Sequence, residues 1–125
     1  MPCIWLINEC DPAGGLQLVQ GDYQFTVPAA SSYDSVSIVA SGDSFNNPTE
    51  IYGAIDTTAN GWTLTTTTTA TSTAGSNNMG SFSGAGFVDA NRHLRVGIGV
   101  DNNDGNPSDF DVNWVAVIVH YTVKL

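Results

Sequence analysis

Apolar and polar side chains alternate along most of this chain, and no stretch repeats them at helical spacing. In DYQFTVP, Tyr23, Phe25 and Val27 share one side of an extended segment, with Gln24 and Thr26 on the other. DSVSIVA repeats the pattern with Val36, Ile38 and Ala40 against Ser35 and Ser37. RHLRVGIGV sets Leu94, Val96, Ile98 and Val100 on one face. Shorter or weaker runs occur in CIWLI, LQLV, TEIYGAI and SFSGAGFV. Between them lie DPAGG, QGD, SGDSFNNP, TTANG, GSNNMG and DANRH, rich in the Gly, Asn, Asp and Pro that turns require. The pattern predicts an all-β fold, a single-domain antiparallel β-sandwich or jelly roll over residues 1–125, with about eight or nine strands.

Two segments depart from plain alternation. From Phe110 onward the apolar set is first Phe110, Val112 and Trp114, then Val115, Val117, Val119, Tyr121, Val123 and Leu125. A change of phase by one residue near Trp114 predicts a β-bulge or a strand buried on both faces. A run this long also predicts a bent or protruding end, able to pair with a neighbouring subunit or dock within its own domain. In GWTLTTTTTATSTAG the odd positions Thr63, Thr65, Thr67, Thr69, Thr71 and Thr73 form a threonine ladder. Its expected role is a solvated strand face of high β-propensity, with Trp62 and Leu64 on the core side. Trp114 is expected to pack in the core as well.

Charge narrows the partners. The 125 residues carry three Lys and Arg against twelve Asp and Glu, a net charge of −9. Binding to phosphate backbones requires cationic side chains, so no nucleic-acid partner is expected, and an anionic membrane would repel the chain. MPCIWLINECDPAGG lacks a basic start and a sustained apolar run, so the expectation is synthesis in the cytoplasm without a signal peptide. Cys3 and Cys10, the only cysteines, would lie about 23 Å apart on an extended segment, too far for a disulfide. The sequons at Asn47 and Asn106 are blocked by Pro48 and Pro107.

Candidate chemistry is sparse. His93 and His120 fall on strands, with His93 expected at the surface and His120 on the polar side of the last strand. GSFSG lacks the serine of a nucleophile elbow, and GAGFVD and GIGVDN fail the dinucleotide pattern. No catalytic residue, metal ligand or cofactor is assigned, and no enzymatic activity is expected. DNNDGNPSDFD, residues 101–111, leaves two readings open. Its spacing fails an EF-hand, because Gly105 stands at position 5 and Val112 where the bidentate acid belongs. A different calcium cage from Asp101, Asp104, Asp109 and Asp111 is one reading. A polar turn fixed by Asp104-Gly105 and Pro107 is the other.

Two resemblances add expectations. GDYQFTVPAASSYDSVSIVASG resembles the opening of small β-domains in tailed-phage virion proteins, with Ala30 where glycine is usual. This resemblance implies a structural protein on the virion surface, such as a capsid decoration (cement) or tail component. Its partners would be itself, as a homotrimer or other symmetric oligomer, and a major capsid protein. DVNWVAV is similar to the closing strand of H-type lectin domains, whose Val-x-Trp-x-Ala pattern falls on Val112, Trp114 and Ala116. The acidic loop and strand together are similar to calcium-dependent fucose-binding bacterial lectins, although this chain continues through IVHYTVKL. That second resemblance implies a glycan partner; because aromatic faces stack on sugar rings and Asp or Asn side chains bind hydroxyls, Trp62, Trp114 and the 101–111 loop are the candidate contacts.

Overall fold

A computed structural model describes residues 18–43, 50–69, 75–101 and 110–125. Within them the chain forms seven strands and no helix: β1 (Leu18–Thr26), β2 (Ser32–Asp43), β3 (Glu50–Thr57), β4 (Gly61–Thr69), β5 (Gly75–Ser83), β6 (His93–Asp101) and β7 (Asp111–Thr122). They make two antiparallel sheets, ordered β1-β6-β3-β4 and β5-β2-β7. The expected sandwich is therefore present. CIWLI, Trp5 and both cysteines lie outside the described residues.

The alternating sets named from the sequence supply the core. Val36, Ile38 and Ala40 from β2 meet Leu94, Val96, Ile98 and Val100 from β6, and all seven are buried. Ile51 and Ile55 of β3, Met79 of β5, and Phe87 and Phe110 complete it. Burying each large side chain contributes roughly 1.5–3 kcal/mol, so a slip of one residue in any central strand would invert its faces and forfeit most of that gain. One flank of the sandwich is closed where β4 meets β5, with Thr65 Oγ1 donating to the Met79 carbonyl at 2.7 Å. The outer strands β1 and β7 consequently share the opposite flank.

Three expectations need revision. GSNNMG is strand, not turn: β5 spans it, while Gly84–Arg92, which includes GAGFV, forms bends and turns. Tertiary contacts override local propensity here, because buried Asn77 donates its amide to the carbonyls of Ala40 and Gly75 at 3.3 Å. Trp62 and Leu64 face solvent, not the core. The Thr58–Asn60 turn decides this. Thr57 Oγ1 accepts from Asn60 N and donates to the Gly61 carbonyl, which fixes Thr57 opposite Gly61 and puts Trp62 opposite Asp56. The threonine ladder is also broken. A register shift between Gly53 and Ala54 leaves Thr65 as the extra residue, so half-buried Thr66 and Thr68 face Gly53 and Ile51 while Thr67 turns outward. Thr71, Thr73 and the side chain of Thr69 lie outside the described residues.

The phase change in β7 is a bulge. Trp114 pairs with Ser41 and Val112 with Gly42, leaving Asn113 as the extra residue. Beyond it Val115, Val117 and Val119 face inward, half-buried, while Trp114, Ala116, Ile118 and His120 face outward. Trp114 is thus exposed, against the expectation of core packing.

Candidate functional site

A cavity of about 120 Å³ lies where the end of β3, the start of β6 and the 84–92 connection meet. The DANRH turn shapes its wall. Arg92 adopts the left-handed conformation at φ 63°, and its amide donates to the Asp89 carbonyl at 3.0 Å. Asp89 Oδ1 accepts from the amides of Asn91 and His93, both at 2.8 Å. These bonds hold the turn in a conformation that a non-glycine residue rarely adopts. The amide of His93 first, then that of Asn91 and the fields of His93 and Arg95, keep the Asp89 carboxyl below the usual carboxylate range. Its other oxygen lies 3.9 Å from His93 Nδ1. His93, expected at the surface, keeps a partly exposed side chain in the cavity wall.

Across the cavity, Asp56 Oδ2 and Arg95 Nη2 form an ion pair at 3.2 Å. No hydrogen bond joins the His93 ring to a hydroxyl group among the described residues. The space is well below the few hundred Å³ of cavities that enclose a ligand. It is suited to accepting the polar edge of something larger.

Beside it, the outer face of the four-stranded sheet carries Trp62, 41 % exposed, and Leu64, 61 % exposed. Trp62 stands directly across from Asp56, so an indole lies next to the Asp56–Arg95 pair. Further along this face, Gly97 and Gly99 of GIGV have a packing role. The Tyr52 ring lies over Gly99 and the Gln20 side chain over Gly97, and Tyr52 Oη donates to Gln20 Oε1 at 3.2 Å.

The outer face of the three-stranded sheet differs in character. Ser35, Ser37 and Val39 of β2 border a stripe on β7 formed by Trp114, Ala116 and Ile118. Trp114 is 49 % exposed and Ile118 55 %. Tyr121, Val123 and Leu125 are exposed as well, but Tyr121 shares the inward parity of Val119, with its ring centroid 6.5 Å from that of Tyr33, and near the chain end Lys124 N donates to Ser31 Oγ at 3.0 Å. Sequence reasoning missed both tryptophans as surface groups. The signals that place them outside are the turn at Thr57 and the bulge at Asn113.

Of the 101–111 loop, only Asp101, Phe110 and Asp111 fall within the described residues, so Asp104 and Asp109 lie outside them. Asp101 stands opposite Glu50, and Asp111 opposite Asp43. The segments 44–49 and 102–109 therefore leave the sandwich at the same end. No group of three or more potential metal ligands occurs among the described residues. Comparison with family models, with curated proteins and with solved structures found no match to this chain.

Proposed function

We propose that this protein is a non-enzymatic structural and interaction protein, a virion accessory subunit of the capsid-decoration or tail type that assembles as a symmetric oligomer. The observation that carries this reading is the exposed Trp114–Ala116–Ile118 stripe on the outward face of β7. Contiguous exposed apolar surface on a soluble domain marks a contact site. A subunit of net charge −9 repels its own kind, so screening that repulsion with salt strengthens an apolar contact between copies. Light scattering across a range of salt and protein concentrations, together with binding to phage capsids, tests the proposal. Oligomers favoured by salt, or saturable capsid binding, support it. Monomer under all conditions with no capsid binding overturns it.

A second reading, a carbohydrate-binding lectin, is favoured by Trp62 beside the Asp56–Arg95 pair and the small polar cavity. An exposed indole stacks on a sugar ring while carboxylate and guanidinium groups engage its hydroxyls. A glycan array, run with and without EDTA, measures it. Binding that Trp62→Ala abolishes supports this reading, and no signal in either condition removes it.

A further inference from the structure

The basic side chains of this acidic chain are gathered at one end of the sandwich. All three, Arg92, Arg95 and Lys124, belong to the end that carries Thr26, Thr57 and the start of β6. His93 and His120 lie toward the same end, where the Lys124 amide donates to Ser31 Oγ between β1 and β2. The opposite end carries Asp43, Glu50, Asp101 and Asp111. β6 has nine residues, so His93 and Asp101 stand eight steps apart. That is about 27 Å, roughly three Debye lengths at physiological salt, which screens one end from the other.

Register brings two of the cations onto one face. Gln24, Arg95, Asp56 and Trp62 form a row across the outer face of the four-stranded sheet. His93 and Thr58 line the cavity next to that row. Both carboxylates at this corner are already engaged. Asp56 Oδ2 pairs with Arg95 Nη2 at 3.2 Å, and Asp89 Oδ1 accepts two backbone amides. The other N–H groups of Arg95, and Nε2 of the His93 ring, have no partner among the described residues. The free hydrogen-bonding capacity is therefore chiefly that of donors, which suits an anion.

Size and shape narrow the anion. A guanidinium fork matches the plane of a carboxylate, and about 120 Å³ admits that group but no sugar ring. A ring attached to it lies outside the cavity, where the 41 % exposed Trp62 offers a stacking face. We propose that this corner binds a carboxylate-bearing sugar, with the ring on Trp62 and the carboxylate on Arg95 beside His93. The inference rests on the carbohydrate reading, whose ligand class it names, and is independent of the contact through β7.

A glycan array printed with uronate- and sialate-terminated glycans beside their methyl esters tests it on the full-length chain. The acids should be retained and the esters held about tenfold or more weakly, with retention of the acids falling in high salt. Arg95→Gln should remove the preference for the acids. Asp56→Asn should strengthen their retention, because it removes the carboxylate that competes for Arg95, and a misfolded variant cannot mimic a gain. At a site for neutral sugars the same change deletes a hydroxyl acceptor and weakens binding. Lys124→Gln removes a cation of the same end but outside the cavity, and should leave retention within about twofold. Esters retained as well as acids overturn the proposal and leave the carbohydrate reading standing, whereas no retention of any glycan removes both. Weaker binding by Asp56→Asn, or a loss in Lys124→Gln equal to that in Arg95→Gln, also overturns it.

Discussion

Gly53 sits where β5 presses onto β3, and substituting alanine there tests how the two sheets meet. A Cβ at Gly53 would clash with the Met79 carbonyl oxygen and lie 2.7 Å from Thr65 Oγ1 and 3.1 Å from Met79 Cβ. The obstruction is mainly backbone, so no side-chain rotation relieves it, and overpacking of this kind costs about 1–3 kcal/mol. Displacing Met79 also strains its hydrogen bond from Thr65, contributing about 1 kcal/mol. Against this, alanine reduces the freedom of the unfolded chain and returns about 0.4–1 kcal/mol. The net expectation for Gly53→Ala is a loss of about 1–3.5 kcal/mol, a fall in Tm of roughly 4–15 °C for a domain of this size. Urea titration should show a lower midpoint with unchanged slope. Gly61→Ala is the control: nothing lies within 4 Å of its added Cβ, and its φ of +68° alone should cost about 1 kcal/mol. A Gly53→Ala protein as stable as the parent would refute the described contact between β5 and β3.

Other substitutions separate neighbouring effects. Gly99→Ala places its Cβ in the Tyr52 ring and should cost about 1–3 kcal/mol, while Gly97→Ala meets only the Gln20 side chain and should cost less than about 1 kcal/mol; urea midpoints measure both. The folded-state pKa of Asp89 is depressed, so its contribution is present above the ordinary carboxyl value, about 3.9, and is lost as pH falls through the folded value. Asp89→Asn should therefore lower Tm near neutral pH and flatten its decline on acidification, which melts between about pH 2 and 6 would record. Arg95→Ala breaks a half-exposed ion pair with Asp56 and should cost no more than about 1 kcal/mol, less in high salt.

Strand identity was legible in the sequence wherever one face is buried and the other wet. Val36–Ala40 and Leu94–Val100 announce themselves by alternation, and both lie in the core where expected. The side that Trp62 and Trp114 face was not legible. Each depends on a single extra residue, Thr65 or Asn113, or on a turn that sets register, and hydrophobicity carries no record of either. β5 was hidden for another reason: its asparagine and serine content reads as turn until the Ala40 carbonyl supplies Asn77 with a partner. The cavity at Asp89 and His93 was likewise invisible, because it joins residues from β3 and from the 84–92 connection. That segments 44–49 and 102–109 leave from one end follows from register alone.

The central claim is that the outward face of β7 is a contact surface. Light scattering on a Trp114→Ser, Ile118→Ser double variant, beside the parent chain at equal concentration and salt, tests it most directly. Both side chains are about half-exposed, so the variant should melt within a few degrees of the parent yet sediment and scatter as monomer under conditions where the parent is expected to assemble as a symmetric oligomer. A variant that unfolds would show that these residues hold the sandwich together, and a variant that keeps the parent's assembly would show that its contacts lie elsewhere.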